Sequence, residues 1–208
     1  MSMFLGPIHH WLYNKIITQE KMVQVVLAFN EVENLVENLE EQLKETCGEL
    51  HQGALEDMID VSNIHGWLQH QVNIVEERFA YAVTAVSKKD KTAVSRLSDK
   101  MYLAGEEAVS EKGLAGTLKT AEDVYKLLND MLLDGMPCDH VNELVSSNAD
   151  ELIYRRSMCI HEQYYIPYDG NVVDYYKLRG DFVKGMLAGT DFSYSQDQSG
   201  NYHIVRNK

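Results

Sequence analysis

The sequence predicts an all-α protein: a multi-helix bundle with two long amphipathic helices and a small C-terminal β-hairpin. Three observations carry that expectation. Prolines stand only at positions 7, 137 and 167. Neither Gly nor Pro interrupts residues 8–47. Through most of the chain before position 132, apolar residues recur at steps of three and four, the period of a helix face.

Residues 8–46 read as helix, with Met22, Val25, Phe29, Val32, Val36, Leu39 and Leu43 as its apolar stripe. One very long helix is expected, unless Asn30 and Glu33 act as a capping box and split it. Gly48 to Gly53 breaks the chain. A second long stripe runs through Leu55, Met58, His65, Leu68, Val72, Val75, Phe79, Ala82 and Val86, and 87–91 ends it. Val94, Leu97, Met101 and Ala104 or Ala108 mark a shorter helix. Gly113 and Gly116 mark a turn, and a subdivision of the chain falls near 112–117. Ala121 to Leu132 is helical and stops before Gly135-Met136-Pro137. Residues 139–165 are helical in pattern, interrupted at Ser146-Ser147-Asn148, where Asn148 and Glu151 give a second capping-box signature. Pro167 to Asn171 is a turn, and 172–187 is the last helix. Phe192/Tyr194 and Tyr202/Ile204 then alternate with polar residues around a turn, which is a hairpin. The bundle spans 1–188 and the hairpin tail 189–208.

The chain has 208 residues and a formal net charge of −13. Without a basic patch such a chain repels nucleic acid and anionic membranes. Residues 31–60 hold ten acids and one Lys, which reads as a solvated helix face. No apolar run is long enough to span a bilayer. The N-terminus, MSMFLGPIHHWL, has no basic region ahead of an apolar one, so no signal peptide is read there. Three cysteines make no disulfide framework, and the expected location is the cytoplasm. The stripes in 22–43 and 65–86 exceed what one antiparallel pair needs, which predicts a homodimer packed along the long helices.

The chemistry-bearing residues fall into three groups. Each cysteine has a histidine close behind it: Cys47 and His51, Cys138 and His140, Cys159 and His161. Thiolate and imidazole are favoured ligands of zinc and iron. With a turn at Ser147-Asn148, residues summing to ~297 face each other across an antiparallel helix pair, which sets Cys138 level with Cys159. Cys138, His140, Cys159 and His161 are then the candidate metal ligands. In the second group, Ile8-His9-His10-Trp11-Leu12 is echoed by Ile64-His65-Gly66-Trp67-Leu68, and the echo extends to Ile16/Val72 and Glu20/Glu76. His9 and His65 both fall on apolar stripes. They serve a metal, a haem or a proton relay, or they are structural histidines bonded to a carbonyl or carboxylate. They meet only if Asn30 breaks the first helix; a continuous hairpin leaves them ~40 Å apart. The third group is the tyrosine-rich segment 154–179. There Tyr164, Tyr165 and Arg155 are candidates for a small-molecule pocket.

Several motifs are absent. No His has an acid three positions before or four after it, which argues against the di-iron sites of helical bundles. There is no H-E-x-x-H, C-x-x-C, G-x-S-x-G or P-loop. The leading expectation is a cytoplasmic helical protein that binds a transition metal or a metal-containing cofactor through His and Cys. The alternatives are a non-catalytic helical interaction or oligomerisation module, and a metal-free small-molecule-binding protein.

Overall fold

The computed structural model describes residues 5–51, 53–111 and 113–207. The first helical stretch is two helices, α1 (Pro7–Glu33) and α2 (Leu39–Cys47). Asn30 sets the break, but not as a cap. Its side-chain amide donates to the Val36 carbonyl, and its oxygen accepts from the Val36 N–H, both at 2.9 Å. This clamp turns the chain through Asn34 and Asn38, left-handed at φ 51° and 50°. Asn tolerates that conformation better than most side chains because its short amide bonds locally.

The second stripe divides as well. α3 (Leu55–Met58) is a single turn, and α4 (Ile64–Lys89) starts afresh where the Asn63 side chain accepts from the Gly66 N–H at 3.1 Å. The connection returns the chain to its starting end, so α1 and α4 run parallel. His9 meets His65 near one end, and Glu20 meets Arg78 further along. Most of both stripes is buried within this one chain, Met22, Phe29, Leu43, Val72, Val75, Phe79 and Val86 among them; Val32 and His65 are exposed. The apolar surplus that suggested a homodimer is therefore largely consumed inside the bundle.

α5 (Ala93–Ser110) and α8 (Val172–Met186) cross at backbone contact. A Cβ at Gly105 would strike the Phe182 carbonyl oxygen, and one at Gly185 the Tyr102 carbonyl oxygen. α6 (Ala121–Met131) opens on a capping box. Asp123 N–H donates to Thr120 Oγ1 at 3.1 Å, and Thr120 N–H donates to Asp123 Oδ2 at 2.8 Å.

The all-α expectation is corrected at residues 142–156. These form two strands, β1 (Asn142–Ser147) and β2 (Glu151–Arg156), not a helix pair. After the short α7 (Glu162–Tyr165) and α8, the C-terminal hairpin supplies β3 (Phe192–Gln196) and β4 (Asn201–Arg206). Together they make one four-stranded antiparallel sheet in the order β1-β2-β4-β3, so the fold is mixed α/β with helix dominant. The misreading has a definite cause. Asn148 Oδ1 accepts from the N–H groups of Asp150 and Glu151 at 2.9 and 3.0 Å, so the apparent helix cap is a hairpin turn. The fold-back lies where the sequence places it: Asn142 pairs with Arg156 and Leu144 with Tyr154. Leu152 and Tyr154 are buried at alternate positions, the period of a strand. β1 is an edge strand with a bulge between Leu144 and Ser146, and its Leu144 and Val145 are exposed.

The α5–α8 crossing yields a test. Gly185→Ala forces a methyl against the Tyr102 carbonyl, and the helices must separate. The expected loss is about 1–3 kcal/mol in urea unfolding, typical of overpacking. Gly180→Ala, with open space around it in the same helix, serves as the control and should gain about 0.5–1 kcal/mol from helix propensity.

Candidate functional site

Strand alternation turns Arg156 inward and Arg155 outward. Arg155 pairs with Glu143 on the surface at 2.8 Å. Arg156 Nη1 reaches Asp134 Oδ1 at 2.7 Å. Arg179 lies one helical turn after Tyr175 on α8, and its Nη2 reaches Asp134 Oδ2 at 2.8 Å. Its Nη1 donates to the Leu133 carbonyl and the Tyr175 hydroxyl at 2.8 and 3.1 Å. Burial alone would raise the Asp134 pKa. The guanidinium charges of Arg179 and Arg156 outweigh it and hold the carboxyl well below the usual range.

His161 sits against this group, wholly buried. Its Nδ1 donates to Glu76, 3.1 Å from both carboxylate oxygens. Its Nε2 faces Asp134 Oδ1 at 3.7 Å, beyond hydrogen-bond reach, and has no other partner among the described residues. The imidazole stacks on Tyr175 with ring centroids 4.0 Å apart. Lys15 of α1 completes the cluster. It is buried, with Nζ 3.6 Å from the centroid of the Trp11 ring, and Trp11 Nε1 donates to Asp130 Oδ1 at 2.8 Å. Desolvation pushes the Lys15 amine down to about 8, aided by the charge of Arg179 and opposed by Asp134 and Asp130.

The structure separates the four expected metal ligands. Cys138 and Cys159 are exposed free thiols, and Cys159 Sγ accepts from the Tyr176 hydroxyl at 3.1 Å. His140 is exposed, in left-handed backbone at φ 47°. His161 is committed to Glu76. Among the described residues, no three His, Cys, Asp or Glu side chains stand where they could share a metal ion. His9 and His65 do meet, with ring centroids 5.5 Å apart and planes at 76°. His65 is exposed rather than inward, and His9 Nδ1 accepts from the Gly6 N–H at 2.9 Å. Tyr165 is fully buried, its hydroxyl without a partner among the described residues and its pKa pushed well up by burial. The Tyr164 hydroxyl donates to Asn73 Oδ1 at 2.9 Å.

No family model, characterised protein or solved structure matches the chain. Its chemistry is therefore read from the cavities beside these residues. One cavity, about 240 Å³, lies between α4 and the segment 158–164; Glu76, Asp139, Tyr164, Met158, Val72 and Gln69 are among its walls. Among the described residues, no Lys, Arg or His lines it. A larger groove, about 590 Å³, lies elsewhere, beside Tyr81 and Tyr168. Its charges are mixed, with Lys88 and Lys89 against Glu37 and Asp169, and the buried cluster does not reach it. The smaller cavity is the stronger candidate because it shares Glu76 with that cluster.

Sequence reasoning passed over Glu76, Asp134 and Arg179 as site residues. Two of them had a signal. Glu76 falls four positions after Val72 and three before Phe79, and Arg179 four after Tyr175 and three before Phe182, so each puts a charge on an apolar face. Asp134 lies between elements and had none.

Two outcomes are expected. Asp134→Asn leaves two buried guanidinium groups without their counter-charge and should cost about 3–5 kcal/mol at pH 7. Because the folded pKa of Asp134 is depressed, its contribution is present above the unfolded value near ~3.9 and fades as pH falls below it. The gap between wild type and variant should therefore narrow in denaturant unfolding as pH falls below ~3.9, and close only as pH approaches the depressed folded value. Lys15 carries the opposite sign. A lysine at about 8 in the fold is a liability while charged, relieved as pH rises from ~8 to ~10.5. Lys15→Met should stabilise the protein at pH 7, and that advantage should shrink by about 2 kcal/mol at pH 10.

Proposed function

We propose that the chain is a cytoplasmic small-molecule-binding protein whose ligand is a small organic cation, held without a metal. The observation that carries this reading is the 240 Å³ cavity with Glu76, the partner of His161, in its wall. Among the described residues the walls supply two carboxylates, two glutamine amides, a tyrosine ring and apolar side chains, and no cationic group. The local potential is negative. Burial, and then the charges of Glu76, Glu77 and Asp139, push the Tyr164 phenol up to about 12. An ammonium group would meet Glu76 and the tyrosine face together, the arrangement that favours cations over neutral isosteres. The volume is below the ~300–1,000 Å³ of drug-sized sites, so the ligand is small.

His161 positions the receiving carboxylate. Its Nδ1–H holds Glu76 in place, and the stack on Tyr175 fixes the ring. Three free cysteines support a reducing compartment. No helix among the described residues is long and apolar enough to cross a membrane. This reading takes up the tyrosine-rich segment, which contributes Met158, Ile160, Gln163 and Tyr164 to the walls.

Calorimetric titration with small alkylammonium ions and the matching neutral alcohols tests it. The ammonium ions should bind and the alcohols should not. Glu76→Gln, whose amide oxygen still accepts from His161, should weaken binding at least tenfold without unfolding the protein. Equal binding of alcohols and ammonium ions, or unchanged affinity in Glu76→Gln, would sink the reading.

A further inference from the structure

A second cavity, of about 130 Å³, is left unused by the cation site. It lies where the first turns of α1 and α4 meet the segment after α6, and its polar and sulfur-bearing lining consists of His9, His65, Met136 and Cys138. The remaining walls are aliphatic. We infer that this is a binding site for copper(I), held by the two imidazoles and the Cys138 thiolate with the Met136 thioether beside them.

The spacing of the imidazoles suits one shared ion. An imidazole bound at ~2.0 Å has its ring centre ~3.2 Å from the metal, so two of them at tetrahedral to trigonal angles lie ~5.2–5.5 Å apart. The observed separation is 5.5 Å. The thiol is not yet in place, since no three donors converge as the side chains stand. Cys138 is exposed and free. It also lies in a short connection without helix or strand, between Gly135 and β1.

Three considerations select copper(I) over zinc. A thiol and a thioether are soft donors, which favour the monovalent ion. Charge balance points the same way. On binding, the Cys138 thiol loses its proton, and one thiolate with two neutral imidazoles leaves copper(I) neutral overall; a zinc ion would keep one positive charge. Both neighbouring helices present their N-terminal ends here, because α1 and α4 are parallel. That positive field opposes a dication and favours the thiolate. Binding has an identifiable cost. His9 Nδ1 now accepts from the Gly6 N–H, so the neutral ring carries its proton on Nε2. Coordination through Nε2 moves that proton to Nδ1 and breaks the hydrogen bond, a small loss beside two metal–ligand bonds.

The experiment is an anaerobic titration of the full chain with copper(I) against a chromogenic chelator of known affinity, followed also in the ultraviolet. One equivalent should bind, with a thiolate-to-copper charge-transfer band. His65→Leu should weaken binding at least tenfold. Cys138→Ser should abolish the band and weaken binding to a similar extent. Circular dichroism of each variant confirms the fold, and Glu76→Gln should bind copper as wild type does. Unchanged affinity in both His65→Leu and Cys138→Ser would overturn the assignment, as would tighter binding of zinc than of copper(I) at these residues.

Discussion

The Asp134 carboxylate carries the junction between sheet and bundle. One oxygen belongs to Arg156 on β2 and the other to Arg179 on α8. Neither arginine can be solvated where it lies, so the three groups have to stay together. The cost of burying them is met only in one relative position of strand, helix and connecting loop. The cluster therefore acts as a register device: the sheet cannot slide on the bundle without stranding a charge. The tyrosines around it serve the same end. Tyr154, Tyr202 and Tyr194 stack in sequence with centroid spacings of 5.0 and 5.8 Å, and the guanidinium of Arg156 lies over Tyr202 and Tyr176.

The second organising feature is the parallel pairing of α1 and α4. It gives the I-H-x-W-L echo a spatial meaning, because residues 56 positions apart in sequence occupy matching levels of two adjacent helices. The two histidines of the echo touch. Glu20 and Glu76 are both buried carboxylates, one held by Arg78 and the other by His161. Each helix thus places an acid at the same height in the core and pairs it with a different side chain, Arg78 for Glu20 and His161 for Glu76. The N-terminal ends of these helices hold imidazoles and the middle holds buried carboxylates, so two chemically distinct environments lie along one pair of helices.

Much of this was legible in the sequence. The helices of residues 121–132 and 172–187, the C-terminal hairpin and the fold-back at Ser147-Asn148 follow from caps, breakers and apolar period. The strands β1 and β2 were not read, because Asn148 with Glu151 fits a helix cap and a hairpin turn equally well, and only the pairing of β2 with β4 decides between them. That pairing joins residues about fifty positions apart, which no local pattern reports. The site was legible in part. His9, His65, His161 and Tyr164 came from sequence, whereas the partners that give them chemistry did not. The candidate Arg155 faces out and its neighbour Arg156 turns in, because residues 151–156 follow the two-residue period of a strand and not the helix period read from the sequence.

The bulge in β1 has a consequence for solubility. An edge strand bearing exposed Leu144 and Val145 offers open backbone groups to any extended segment nearby. The extra residue between Leu144 and Ser146 breaks the repeat of those groups, so an incoming strand could match β1 on one side of the kink but not on both. Glu143 adds a charge at the same margin. At this edge the bulged strand is therefore a poor template for a further strand, which shields the apolar margin of Leu144 and Val145 from strand addition.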